Sequence, residues 1–176
     1  DPAVHNMQSI RRLLCAAAPL STETIHLVES RWQKPLFQGY GMTETSPTIA
    51  RQREGRPRKP GSTGPAVDGV EIKIFDELDR ELPAGEVGEI CVRGPNVMKG
   101  YLHKEAETKV ALRNGWLHTG DMGYLDKDGD LFITDRKKDL IIRGGENISP
   151  GALEGILYNH PAVLETAVVG VPDPMY

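Results

Sequence analysis

An α/β segment, a small β-rich unit of distorted-barrel or sandwich type and the opening of an α+β unit are what the 176-residue sequence predicts. Three observations predict them. Up to about residue 50, two short apolar runs flank a segment with helical spacing, and the second run passes into a glycine-bearing motif. Strand, helix, strand, loop is the grammar of an α/β unit, in which ligands sit beyond the strand ends. From there to about residue 135, alternating apolar and polar residues are broken by Pro and Gly turns, the pattern of short antiparallel strands. After Asp135 come a strand, a glycine turn, a capped helix and one further apolar run, too few elements to bury a core of their own.

Taken in order, "IRRLLCAAAP" holds a nearly continuous apolar run ended by Pro19, as a strand buried on both faces would. Ser21 is placed to cap a helix that carries Ile25, Val28 and Trp32 at i, i+3 and i+7. A short strand at Leu36 and Phe37 leads into "QGYGMTETSP", residues 38 to 47. The basic cluster that follows, Arg51, Arg53, Arg56, Arg58 and Lys59, lies among Gly and Pro rather than along a helical face, and is read as a solvated loop. Val70, Ile72 and Ile74 then alternate with Glu71, Lys73 and Phe75, and "GEICVRG" makes the partner strand after a turn at Pro83 to Gly85. A small helix is expected over 104 to 112 and a hairpin at "DKDGD", residues 126 to 130. That turn imitates the start of a calcium loop, but Gly129 stands at position four rather than six, and Lys137 where the twelfth-position Glu belongs. "DLIIR" is a strand, "GGEN" a turn, and Ser149 with Pro150 the cap and first residue of a helix through Leu153, Ile156 and Leu157. "LETAVVGV" supplies a last strand.

A formal net charge of −4 gives no electrostatic reason to expect nucleic acid or an anionic membrane as a partner. No apolar stretch approaches the ~20 residues needed to span a bilayer, and the first residues lack the pattern of a signal peptide. Cys15 and Cys91 each sit in an apolar run and read as buried free thiols of a reducing compartment, so the cytoplasm is expected. The five histidines show no metal-ligand spacing with the cysteines; His118 is read as a structural hydrogen-bonding group and Trp116 as packing. The chain opens on Asp1 and stops just after an uncapped apolar run, which reads as a piece of something longer.

Three stretches carry chemistry. In the first, Gly39 and Gly41 let a ligand approach the backbone, Tyr40 offers a flat face to a purine, Thr43 a hydroxyl to a phosphate oxygen and Glu44 a hard oxygen to Mg²⁺. In "GWLHTGD", residues 115 to 121, Asp121 has two carboxylate oxygens for the two hydroxyls of a ribose. In "TDRKKDLIIRGGENISP", Arg136 is a fixed cation for a ribose or phosphate oxygen, and Gly144 and Gly145 mark a flexible or close-approach point. Each has a plain alternative: a tight turn, an Asp in a β-turn, a charged interdomain linker. No G-x-x-x-x-G-K-[ST] loop occurs in these residues.

"GYGMTE", "GEVGEI", "GWLHTGD" and "DRKKDLIIRGGENISP" stand in the order and approximate spacing of the core motifs of the adenylate-forming superfamily. From "AAAPLS" to "VVGVPD" the chain resembles its acyl-CoA synthetase branch, the fatty-acid–CoA ligases. The resemblance implies a two-step ligase using ATP, Mg²⁺ and coenzyme A, the last as co-substrate. A carboxylic acid, by this resemblance a fatty acid, attacks the α-phosphate to give acyl-AMP and pyrophosphate, and the CoA thiol then displaces AMP. By position, Ala17, Ala18 and Pro19 would line the adenine site and Gln38, Gly39 and Tyr40 close it. Thr43 would bind the α-phosphate and Glu44 the Mg²⁺ as the catalytic pair, while Asp121 and Arg136 hold the ribose. Lys138 would be the hinge, with Gly144 and Gly145 facing CoA after rotation. The domains implied are the end of an α/β nucleotide-binding subdomain over 1–55, a small distorted β-barrel subdomain over 56–137, and the start of a mobile α+β C-terminal domain over 138–176.

Two family parts are missing from these residues, the Ser/Thr/Gly-rich phosphate loop and the catalytic lysine of a Gly-Lys segment, so the chain alone is expected not to make acyl-adenylate. Ala16 and Ala17 stand where the family usually has glycines, a change that would narrow the adenine edge. A non-catalytic nucleotide or acyl-adenylate binding module is the alternative from another class, but it has no use for Lys138 or an intact "GGEN". A non-CoA adenylating enzyme, such as a peptide-synthetase adenylation domain or a luciferase, is the alternative within the class. "RGPNVMKGYLHKEAET" and "GGENISP" look more like acyl-CoA synthetases than either. The acyl group and the oligomeric state are not legible in the sequence.

Overall fold

The structure is a computed structural model and describes residues 9 to 173 except 19, 145, 159 and 161. β1 (Leu13–Cys15) runs parallel to β2 (Leu36–Gly41), with Leu13 opposite Leu36 and Cys15 opposite Gln38. Between them lies α1 (Thr22–Trp32), started as expected by Ser21, whose Oγ accepts the Thr24 amide at 3.1 Å. α1 buries Ile25 against the sheet. β3 (Thr48–Arg51) pairs antiparallel with the other edge of β2. Burial of β1 on both faces is not found: Leu14 is 67% exposed and Cys15 only half-buried. β1 is an edge strand, and among the described residues β2 is its only partner.

The β-rich part is one antiparallel sheet in the order β4-β8-β7-β6-β5. Its strands are β4 (Ser62–Pro65), β5 (Glu71–Phe75), β6 (Gly88–Arg93), β7 (Leu117–Leu125) and β8 (Asp130–Arg136). It stays open, since β4 and β5 are its two edges, and the expected distorted barrel is not closed. The physical reason lies in the core. Ile49 and Ala50 of β3 are fully buried against Val70, Ile74, Ile90, Val92 and Leu131, so the three-stranded sheet covers the apolar face that closure would otherwise have to hide. Among the described residues an isolated β-bridge, Ala50 to Ala66, joins the two sheets. Phe75, Cys91 and Trp116 form a second cluster on the opposite side, with Phe75 and Trp116 edge to face at 5.6 Å, so Trp116 is packing as expected.

α2 (Glu105–Ala111) falls inside the expected range. At the "DKDGD" turn the Asp126 carboxylate accepts the Asp128 and Asp130 amides, both at 2.9 Å, and Gly129 takes φ 78°. The basic loop is exposed over most of its length, as a solvated loop would be, but four of its five cations are paired. Arg53 donates to Ala66 O and Asp68, Arg56 to Asp128 O and Asp130, and Arg58 to Leu36 O and Glu29. Lys59 reaches Asp126, Asp128 and Asp130 together. Gly and Pro in this loop set its path, and the cations then fasten it to acidic groups distant in sequence.

After a 3₁₀ turn at Lys137–Asp139, β9 (Ile141–Arg143) pairs with β10 (Glu146–Ile148), so Glu146 and Asn147 of "GGEN" belong to a strand that the sequence pattern did not give. α3 (Pro150–Tyr158) follows, with Ser149 Oγ accepting the Ala152 amide at 3.0 Å. "LETAVVGV" is not a strand. A strand needs an edge to pair with, and here the Val168 amide instead donates to Glu154 Oε1 at 2.8 Å while Leu164 and Val171 lie exposed.

Candidate functional site

The parallel pairing of β1 with β2 puts the ends of both strands at one edge. Ala17 and Ala18 lie there as an exposed bend just beyond β1, and Ala17 takes φ 73°, a left-handed conformation that costs an alanine roughly 1–2 kcal/mol. Pro19 lies outside the described residues. Gln38, Gly39 and Tyr40 are strand residues, not loop residues: Gln38 is buried, and its backbone exchanges hydrogen bonds with Gln52. The glycines of this motif therefore serve the strand. A Cβ on Gly41 would stand 1.7 Å from Pro47 O, so only glycine lets the chain fold back that tightly.

Tyr40, Asp121 and Arg136 come together although they are far apart in sequence. Tyr40 Oη donates to Asp121 Oδ2 at 2.6 Å, and Arg136 Nε lies 3.6 Å from Asp121 Oδ1. Asp121 and Arg136 are paired residues of β7 and β8, while Tyr40 comes from β2, so the cluster spans the junction of the two sheets. Burial, and then the Asp121 charge, push the Tyr40 phenol up from its ordinary pKa, which keeps it the donor. Asp121 is oriented at its backbone as well, because its amide donates to Thr119 Oγ1 at 3.1 Å. A carboxylate has about four lone-pair sites, and two contacts leave acceptor capacity for a diol.

Thr43 and Glu44 sit on a 3₁₀ turn directly after β2. Thr43 is exposed. Beneath it, Thr45 is fully buried, with Oγ1 at 2.9 Å from both Met42 O and Pro47 O. Glu44 Oε1 accepts from Tyr101 Oη at 2.8 Å. Lys138 and Gly144 are exposed in the segment after β8, Gly144 with φ 59°. Among the described residues, no hydrogen bond or ion pair joins either to Tyr40, Glu44, Asp121 or Arg136. Gly145 lies outside the described residues.

Glu89 is the residue that sequence reasoning passed over. Buried in β6, its Oε1 accepts the Gly120 amide at 3.2 Å, next to Asp121, while Oε2 takes Lys137 Nζ at 3.0 Å and Arg113 Nη2 at 3.3 Å. Burial opposes the Glu89 charge, but hydrogen bonds from Lys137 and His118 outweigh it and hold the pKa below the usual carboxylate value. Its charged form therefore stabilises the fold above the unfolded carboxylate pKa, and that contribution is lost as pH falls through the lower folded value. His118 Nδ1 stands 3.2 Å from Cys91 Sγ and 3.3 Å from Glu89 Oε2, so the histidine is structural as expected. The three side chains lie close enough to share a metal ion, which their separation in sequence did not suggest. Two cations on Glu89 oppose a third. Burial, then the Glu89 charge, push the Cys91 thiol up to about 12. Cys91 is therefore expected to resist iodoacetamide in the native protein and to react only on unfolding, as peptide mapping after alkylation would report; native labelling at Cys91 contradicts this.

The chain matches the family described as AMP-binding enzyme over residues 1–102. It is 45% identical over 170 residues to the long-chain-fatty-acid–CoA ligase of Bacillus subtilis, covering 96% of this chain and 30% of that protein. It is 43% identical over 180 residues to 4-coumarate–CoA ligase 2 of Oryza sativa subsp. japonica, covering 96% of this chain and 31% of that one. Among solved structures, ATP-bound MatB from Rhodopseudomonas palustris superposes with a TM-score of 0.89 at 38% identity, over 93% of this chain and 33% of that one. The chain thus spans about a third of the length of these relatives.

Proposed function

Because this chain belongs to the AMP-binding enzyme family, we propose that it is part of an AMP-forming acid–CoA ligase and carries the ribose and phosphate side of its nucleotide site. The observation that carries the reading is the meeting of Tyr40, Asp121 and Arg136 from three separate motifs on one carboxylate. In this reading Asp121 accepts the ribose hydroxyls, Arg136 adds a cation at the sugar, and Tyr40 presents its ring to the base while its hydroxyl fixes the Asp121 carboxylate. Gln38, Gly39 and the Ala17–Ala18 bend border the adenine from the strand ends. Thr43 offers its exposed hydroxyl to the α-phosphate. In such chemistry the protein mainly positions reactants and neutralises charge.

Glu44 fits a magnesium ion as a single hard oxygen ligand, because Mg²⁺ keeps several waters and takes further oxygens from the phosphates. Bound there, Mg²⁺ would supply neutralising charge to the phosphates. Residues 1–55 then end the nucleotide-binding subdomain, 56–137 form the β-rich subdomain, and 138–176 begin the mobile domain, with the hinge at Lys138 and Gly144 and Gly145 turned to CoA. A fatty acid is the first choice of substrate, on the resemblance to fatty-acid–CoA ligases; aryl acids come second, since a relative of similar identity takes its name from 4-coumarate. No helix among the described residues is long and apolar enough to cross a membrane, and the cytoplasm is the proposed compartment.

The test is ATP–pyrophosphate exchange by the full-length protein with a panel of alkyl and aryl acids. Acid-dependent exchange supports the ligase and identifies the acid; none with any acid moves the reading to a nucleotide-binding module. The 176-residue chain by itself is expected to give no exchange, lacking the phosphate loop and the Gly-Lys segment. Exchange by the isolated chain would contradict that expectation.

A further inference from the structure

One segment of the chain reaches the Glu44 turn at four points. Asn96 Nδ2 lies 2.9 Å from both Thr45 O and Thr48 O, the Met98 amide donates to Glu44 O at 2.8 Å, and Tyr101 Oη donates to Glu44 Oε1 at 2.8 Å. The first three bonds fix the backbone of the turn from a loop some fifty residues away. The fourth fixes the carboxylate itself. Tyr101 is in turn held by α2: its amide donates to Thr108 Oγ1 at 2.9 Å, and Thr108 packs so closely that a Cβ on the preceding Gly100 would stand 2.7 Å from Thr108 Cγ2. Glu44 Oε2 has no hydrogen-bond partner among the described residues, so one oxygen is restrained while the other stays available.

We infer that Tyr101 is a positioning residue for the metal at this site, presetting the Glu44 carboxylate so that its second oxygen meets a divalent cation without first losing rotamer freedom. The inference rests on the reading of Glu44 as a metal ligand and adds to it a residue outside the nucleotide motifs. A side-chain donor to one oxygen of a ligating carboxylate orients the ligand and raises affinity, and losing such a partner typically costs about 10- to 100-fold in metal binding.

The test uses the full-length protein with a non-hydrolysable ATP analogue and Mn²⁺ as probe, the metal affinity being read by electron paramagnetic resonance rather than by turnover. Tyr101→Phe keeps the ring and removes only the hydroxyl. It is expected to weaken Mn²⁺ binding about 10-fold, at the low end of that range because Tyr101 is partly exposed, with metal-free nucleotide affinity unchanged. In a Glu44→Gln background the same substitution is expected to add little, the non-additivity that marks two groups acting as a unit. If Glu44→Gln leaves Mn²⁺ affinity unchanged, the metal reading of Glu44 falls and this inference with it. If Glu44→Gln weakens it while Tyr101→Phe leaves it unchanged or tightens it, the inference alone is overturned, tightening meaning that the phenol competes for the carboxylate.

Discussion

Asp121→Ala is expected to lower acid-dependent ATP–pyrophosphate exchange about a hundredfold or more in the full-length protein. The substitution removes the acceptor proposed for both ribose hydroxyls and at the same time the partner of Tyr40 Oη at 2.6 Å and of Arg136 at 3.6 Å. A half-buried phenol left without its acceptor costs about 1–3 kcal/mol, so the melting temperature is expected to fall as well. Tyr40→Phe separates the two effects. It removes the same hydrogen bond but leaves no orphaned hydroxyl and keeps the carboxylate beside Arg136, so it should cost only the net worth of the bond, about 0.5–1.5 kcal/mol, and keep most of the exchange. Exchange by Asp121→Ala within threefold of wild type would show that the sugar is held elsewhere.

Gly41→Ala is expected to be the most destabilising single methyl in the nucleotide motif. Its Cβ would meet Pro47 O at 1.7 Å, Pro47 C at 2.7 Å and Thr48 Cα at 2.9 Å, all backbone atoms that cannot rotate aside. Either β3 moves away from β2 or the turn carrying Thr43 and Glu44 is displaced. The loss is placed at about 4 kcal/mol, in the range reserved for backbone strain and core disruption. Gly129→Ala is the comparison: its φ is positive, at 78°, which that of Gly41 is not, but nothing lies within 4 Å of an added Cβ, so only the left-handed cost of about 1–2 kcal/mol applies. Urea midpoints of the two variants measure the difference, and equal midpoints would refute the close-approach account of Gly41.

Local rules sufficed for the elements that depend on them. Ser21 and Ser149 cap their helices, Gly129 turns its hairpin, and the β5–β6 pair follows from alternation, because each of these is decided within a few residues. The choice between barrel and sandwich was not legible, since whether five strands close depends on what covers their face, and the cover, Ile49 and Ala50, comes from a different sheet. The last apolar run illustrates the same limit: its composition suits a strand, but a strand exists only where an edge accepts it. For the site, residue types in "GYGMTE" and "GWLHTGD" pointed to Tyr40 and Asp121 without giving the bond between them. Glu89 and Tyr101 stayed invisible because their partners lie dozens of residues away and their own surroundings read as ordinary strand and loop.

The contact between Glu89 and Lys137 has a mechanical meaning. Stripping a buried carboxylate of its cation ordinarily costs about 3–5 kcal/mol, because the charge is stranded. Here the charge would not be stranded: with Lys137 gone, Arg113 remains at 3.3 Å and the Gly120 amide at 3.2 Å. Lys137, whose side chain is 42% exposed, passes from a carboxylate to water rather than from a carboxylate to nothing. The fastening between strand β6 and the segment that leaves the sheet would therefore release at modest cost, as a spring catch does, one residue ahead of the point proposed to swivel.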